Sequence, residues 1–216
     1  MKKVNFNILE FNQAWEKTII GSVCVYIQRG KGPKYADKKN DYPVLNQKCI
    51  RPEGILYENI KYVTEEFWKE NDDIRFVKKN DILWNSTGTG TIGRLVIYDD
   101  YKFKKILADG HLTILRVAED YNPKFLFYFL CSPYVQTEIE IIFSGSTDQV
   151  ELTLPAIENT IVPKINKSLQ DKIVEKIDNF YLNFYSLQTS LEKISNIKIK
   201  GKILDLEKKF LLDVFK

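Results

Sequence analysis

Histidine is nearly missing from this chain. The one copy is His111, so a zinc site built on several histidines is excluded. A hydrolytic triad would have only His111 to use, and no G-x-S-x-G elbow accompanies it. His111 lies between a turn and a strand-like run, where a histidine ordinarily satisfies a loop. Cysteine is scarce as well: Cys24, Cys49 and Cys131 are odd in number, far apart, and form no C-x-x-C pair. That usage points to reduced thiols in a cytoplasmic protein and not to a disulfide framework. No run of about 18 apolar residues exists to span a membrane. Met1-Lys2-Lys3 leads into no apolar signal segment. Net charge is small: 32 basic residues against 29 acidic ones leave +3, too little to announce a nucleic-acid partner. The adjacent carboxylates Asp72-Asp73 and Asp99-Asp100 point to opposite faces if extended, so neither pair is a ready metal or acid–base site. No P-loop, methyltransferase cofactor loop or Asn-Pro-Pro-aromatic motif is present.

What is present centres on Asp81 to Thr113. A strand-like run, Ile82-Leu83-Trp84, breaks into Ser86-Thr87-Gly88-Thr89-Gly90-Thr91-Ile92-Gly93-Arg94. A second run, Leu95-Val96-Ile97-Tyr98, follows. Apolar runs bounded by Gly, Ser and Asp read as strands, so this is a strand pair with hydroxyls and glycines at its tip. Gly88, Gly90 and Gly93 also spell G-x-G-x-x-G. A dinucleotide site requires a helix after those glycines, and a strand follows here. A kinase glycine loop wants Val where Leu95 stands, and its catalytic partners are missing. The glycines are therefore read as a tight β connection that uses positive φ.

Charge is distributed unevenly. Between Gln28 and Arg51 stand Arg29, Lys31, Lys34, Lys38, Lys39, Lys48 and Arg51 against Asp37 and Asp41, with Tyr35 and Tyr42 interleaved. Such a stretch fits phosphate contact, and it equally fits an ordinary solvated loop. In chain order, Ile19 to Ile27 is an apolar run ended by Gly30, Gly32 and Pro33. Pro43 places the next strand at its start or at a sheet edge. Thr64 caps a short helical turn. Leu112 to Val117 forms a core strand. Pro123 to Cys131 is a buried helix, and a second helix, capped by Ser132 with Pro133 in its first turn, reaches about Phe143. Val150 to Leu154 and Thr160 to Val162 read as extended pieces around Pro155.

From Asn166 the period changes. Leu169, Ile173, Ile177, Phe180, Phe184, Leu187, Leu191 and Ile194 recur every three or four residues, a heptad seam. Asn166 can cap its start. About 30 residues at ~1.5 Å each make a rod of roughly 45 Å. A break is expected near Gly201, after which Leu204, Phe210, Leu211 and Val214 resume the pattern. Two arrangements stay open: pairing with a second long helix in trans, or a hairpin in which the last segment folds back on the first. The residues alone thus give an α+β domain with a long coiled-coil helix and no catalytic constellation.

Four motifs carry a resemblance. They are Asp81-Ile82-Leu83 through Arg94; Asp109-Gly110-His111-Leu112-Thr113-Ile114; Ser146-Thr147-Asp148-Gln149-Val150-Glu151-Leu152; and Ile161-Val162-Pro163 leading to Gln170-Asp171-Lys172-Ile173. In order and spacing the chain resembles the specificity subunit of type I restriction–modification systems over about residues 15–215. The resemblance implies a non-catalytic α+β protein: a mixed β-sheet target recognition domain at 1–163 and a coiled-coil spacer helix at 166–216. It implies double-stranded DNA as ligand and methyltransferase and restriction subunits as partners. S-adenosylmethionine is expected on the methyltransferase and no cofactor on this chain. The family usually carries two recognition domains and two helices, and here there is one of each. Ile165-Asn166 stands where Pro-Pro usually enters the helix, and Asp148 stands in place of a turn glycine.

A single recognition domain implies a homodimer through Ile173, Ile177, Phe180, Phe184, Leu187, Leu191 and Ile194, reading a bipartite site with inverted halves. The candidate DNA contacts are Arg29, Lys31, Lys34, Lys38, Lys39, Lys48 and Arg51, with Thr87, Thr89 and Arg94 from the tip. A motif shared by proteins that read different sequences is better suited to architecture or backbone contact than to base readout. The alternatives are a truncated or inactive specificity cassette, or a coiled-coil adaptor whose head binds protein.

Overall fold

The computed structural model describes residues 12–88, 90–99, 102–144, 151–194 and 200–216. In chain order these form β1 (Glu16–Ile19), α1 (Ile20–Val23), β2 (Cys24–Arg29), β3 (Pro43–Leu45), β4 (Ile50–Arg51), β5 (Gly54–Ile55), β6 (Lys61–Tyr62), α2 (Glu65–Lys69), β7 (Ile82–Asn85) and β8 (Leu95–Ile97). There follow β9 (Leu107–Ala108), β10 (Leu112–Val117), α3 (Pro123–Cys131), α4 (Pro133–Ser144), α5 (Leu154–Glu158), β11 (Ile161–Lys164), α6 (Lys167–Ile194) and α7 (Lys200–Phe215).

The central sheet is antiparallel with order β2-β10-β7-β8. Side chains alternate across it as a pleat demands. Ile82, Trp84 and Leu115 face one core, and Leu83, Leu112 and Ile114 face another. The first core is covered by α3 and α4, through Phe125, Phe129 and Val135. The second is covered by Leu45, Cys49, Ile50 and Ala108. A second sheet, β6-β3-β9, mixes antiparallel and parallel pairs. The fold is therefore α+β with mixed sheets and a long C-terminal helix, as the sequence leads one to expect.

Local chemistry sets the boundaries. The Asn122 carboxamide oxygen accepts from the Lys124 and Phe125 amides at 2.8 and 3.1 Å, which caps α3 ahead of Pro123. Thr64 caps α2 and Asn166 caps α6 in the same way. Pro43 begins its strand, yet β3 is the middle strand of its sheet. Three expectations fail. The Ser132 hydroxyl turns back to the Phe129 carbonyl at 2.5 Å and does not cap α4. The run Ile19–Ile27 is three elements, because the single turn of α1 moves the chain from the β1–β11 pair to the central sheet. Leu154 starts a short helix, capped by Thr153, in place of an extended piece.

The C-terminal fifty residues keep the long helix and correct what packs against it. α6 spans 28 residues, or ~42 Å at ~1.5 Å per residue. α7 then folds back: Phe180 stacks on Phe210 with ring centroids 3.8 Å apart. The Tyr134 hydroxyl donates to the Leu212 carbonyl at 3.2 Å. Phe215 lies between Phe125 and Phe129. Ile173, Ile177, Leu211 and Phe215 thus belong to the same core as Trp84. The heptad seam is used inside the chain at Ile173 and Ile177, which lie in that core, and at Phe180, which stacks on Phe210. Gly201 is helical, within the first turn of α7. Phe184 is half-buried, while the side chains of Leu187, Leu191 and Ile194 lie outside the described residues.

Candidate nucleic-acid interface

The tip between β7 and β8 is held by hydrogen bonds within itself and to Gln47, Thr113 and Leu152. Gly88, Gly90 and Gly93 have φ of 100°, 75° and 84°, the left-handed values a tight connection requires. Asn85, wholly buried, donates from its carboxamide to the carbonyls of Gln47 and Thr91. Buried Ser86 shares a 2.5 Å hydrogen bond with the Thr113 hydroxyl, and its carbonyl accepts from the Leu152 amide. The Thr91 hydroxyl donates to Gln47 Oε1 at 2.9 Å. Arg94 curls onto its own loop, donating to the Gly90 carbonyl at 2.8 Å. Most of the motif's polar groups are therefore spent on holding the loop's shape.

Thr87 remains at the rim. Its hydroxyl lies 2.5 Å from Nδ1 of His111, and His111 is exposed. The turn carrying His111 is set by Asp109, which is 1% exposed. One Asp109 oxygen accepts from the His111 amide at 2.9 Å, and the other accepts from the Tyr35 hydroxyl at 3.3 Å. Burial raises the Asp109 carboxyl above the ordinary aspartate range, and these hydrogen bonds together with His111 oppose that shift. Burial also raises the Tyr35 phenol.

Tyr35 ties the basic loop to this turn. The Ala36 amide donates to Tyr62, the Thr64 amide donates to Lys34, and Lys61 sits 4.2 Å over the Tyr35 ring. The loop is thereby pinned with Lys31, Lys34, Lys38 and Lys39 exposed. Exposed Lys48 stands next to Gln47, which supports the tip. The structure thus brings together Lys31, the His111 turn, Thr87 and Lys48 along neighbouring loops.

The other basic candidates are engaged or half-buried. Arg29 pairs with Glu151 and donates to the Leu152 carbonyl at 2.6 Å, which anchors the segment after α4 against the sheet. Arg51 is half-buried on the β4–β5 hairpin beside β8. Thr89 and Ser146 to Val150, Asp148 among them, lie outside the described residues. Two participants went unread in the sequence: Gln47, and the pairing of Thr87 with His111. Both join segments more than twenty residues apart, and no local pattern marks them.

The arrangement offers donors and cations to an anion and little else. Burial pushes the Cys49 thiol up to about 11, which leaves it a poor nucleophile. Among the described residues no group of three or more His, Cys, Asp or Glu is placed to hold a metal, and no helix is long and apolar enough to cross a membrane.

A mixed-sheet α+β head, a glycine-hydroxyl tip held by hydrogen bonds, and a helical hairpin built into the head's core define the structural class. The family follows from comparison. The model of the type I restriction modification DNA specificity domain matches residues 12–211, and the chain belongs to that family. Among solved structures, a chain from work on complex assembly and conformational transition of the type I R-M system superposes with a TM-score of 0.64 at 17% identity, over 97% of this chain and 48% of that one. The HsdS subunit from Thermoanaerobacter tengcongensis gives 0.57 at 18%, over 97% and 46%. The type I S subunit from M. genitalium gives 0.50 at 19%, over 85% and 44%. The chain spans less than half the length of each of these. No curated protein matches it.

Proposed function

We propose that this chain reads DNA for a type I restriction–modification system and directs methyltransferase and restriction subunits to a bipartite site. It is non-catalytic in this reading, acts in the cytoplasm, and leaves S-adenosylmethionine to the methyltransferase. The observation that carries the reading is the specificity-domain match over residues 12–211. The pinned loop that exposes Lys31, Lys34, Lys38 and Lys39 beside the tip supports it.

The hairpin changes how two copies would meet. Ile173, Ile177 and Phe180 are occupied within the chain, so a homodimer would use the outer face of the hairpin. Leu169 and Leu182 on α6 and Leu206 on α7 are exposed apolar side chains that a second copy would cover. Electrophoretic shift with a random-sequence duplex tests the DNA-reading function: salt-sensitive binding is expected, and no shift at low salt overturns it. Sedimentation equilibrium tests the dimer. A strict monomer at micromolar concentration excludes it, and Leu182→Glu should convert a dimer to a monomer.

A further inference from the structure

A narrow cleft opens between the central sheet and the segment before β7. It is lined by Tyr26, Arg29, Lys31, Asn71, Arg75 and Ile114, among others, and is a notch open to solvent whose free volume of about 10 Å³ admits one water-sized group. Three of these residues are cations, and no carboxylate lines the walls. Arg29 is held by Glu151 and the Leu152 carbonyl, but its buried Nε has no hydrogen-bond partner. Lys31 and Arg75 form no ion pair with any described residue.

The presentation of Arg75 is built. Arg116 grips the Asp81 carboxylate with two hydrogen bonds of 2.9 and 2.7 Å. Its remaining donors reach the carbonyls of Ile74 and Phe76, the residues on either side of Arg75. The Arg75 amide donates to the Asp72 carbonyl. The backbone is thus clamped around Arg75. The nearby acids are largely spoken for: Asp81 by Arg116, and Asp73 by Lys105 at 2.7 Å. Asp72 is exposed.

The cleft also joins the interface described above. The Lys31 backbone bridges to Asp109, and Gly110 packs against Gly32, so the path from Arg75 leads over Lys31 to His111 and Thr87.

We propose that the mouth of this cleft takes one nonbridging oxygen of a backbone phosphate of the DNA duplex, with Arg75 and Lys31 as its cations. The inference rests on the DNA-reading function proposed above and extends the contact surface away from the tip. The cleft is too narrow for a base, so the contact positions the duplex and carries no sequence information. Arg75 has no ion-pair partner to lose, and Arg75→Gln should fold normally.

The test is fluorescence anisotropy of the full chain with a random-sequence duplex across a salt series. Arg75→Gln should weaken binding to every sequence alike and reduce the slope of log K against log salt by about 1. Arg75→Lys should recover most of the slope. An unchanged slope for Arg75→Gln, with wild-type binding intact, overturns the cleft and spares the function. No binding by the wild type overturns both. Inorganic phosphate gives the second arm. If it raises the melting temperature of wild type but not of Arg75→Gln, while both bind the duplex equally, the site takes free anions and the duplex contact is refuted.

Discussion

The rings of Phe180 and Phe210 lie face to face, 3.8 Å between centroids and 6° between planes. This contact closes the hairpin of α6 and α7. Most of a helix's stability in a protein comes from packing of its apolar face, and for the 16 residues of α7 this stack is part of that packing. Both rings are half-buried, which reduces the cost of truncation below that of a fully buried Phe. Phe210→Ala should destabilise the protein by about 2 kcal/mol, and a double-mutant cycle with Phe180→Ala should show about 1 kcal/mol of coupling. Urea unfolding measures both. Additive losses would mean that the stack does not hold the hairpin.

The heptad pattern is visible in the sequence, and its partner is not. Ile173 and Ile177 look alike whether they meet a second copy or the chain's own α3, since periodicity reports a buried stripe and not what buries it. The strand pair and its tip are legible because Gly88, Gly90 and Gly93 sit where turns need positive φ. The break of Ile19–Ile27 into three elements is not, because an unbroken apolar run conceals a single helical turn. Arg29 illustrates the same limit at the interface. A basic residue in a basic stretch resembles a phosphate contact until Glu151, far away in sequence, is found against it.

Lys38 and Lys39 are exposed on a loop pinned at Tyr35 and Ala36. Replacing both with Gln should leave the fold unchanged and lower the slope of log K against log salt by up to about 2. Salt titration of duplex binding measures it. An unaltered slope removes the loop from the interface.

Gly30 and Gly32 are two residues apart and should behave oppositely. A Cβ on Gly30 would drive into the carbonyl oxygens of Ala108 and Asp109, while one on Gly32 meets nothing within 4 Å. The Gly30 amide also donates to Leu112 at 2.9 Å. Gly30→Ala should cost about 3 kcal/mol by forcing backbone apart. Gly32→Ala should be neutral or stabilise by up to about 1 kcal/mol, through the unfolded chain. Thermal melts of the two variants check the contrast.

Arg116 neutralises a carboxylate that is almost wholly enclosed: the Asp81 side chain is 1% exposed and that of Arg116 16%. Burial still raises the Asp81 carboxyl above its ordinary range, with Arg116 pulling the other way. Arg116→Ala strands the charge and should cost about 3 kcal/mol or more at neutral pH. The deficit should shrink as the pH falls, because protonation relieves an unpaired Asp81. Adding Asp81→Asn should recover part of the loss. A deficit independent of pH would show that the packing of Arg116 on Tyr26, 4.9 Å from its ring, matters more than its charge.

Asp109 offers a second reading of pH: its hydrogen-bond partners are the Tyr35 hydroxyl and the His111 amide, and the charges of the His111 ring and Lys61 act on it against burial. Its folded carboxyl titrates above the 3.8 of an ordinary aspartate, chiefly through burial. The folded state therefore holds this proton more tightly than the unfolded state does. The stability tied to it is full below about pH 4 and is lost as the pH rises through the folded value. Asp109→Asn removes that dependence. Its amide oxygen can still accept from the His111 amide, and its NH₂ can donate to the Tyr35 oxygen. The variant should match wild type near pH 4 and become progressively the more stable of the two towards pH 7. Urea melts across that range measure the difference. Should Asp109→Asn instead lose ground as the pH rises, the carboxylate is stabilised by its setting, and the desolvation argument for this turn fails.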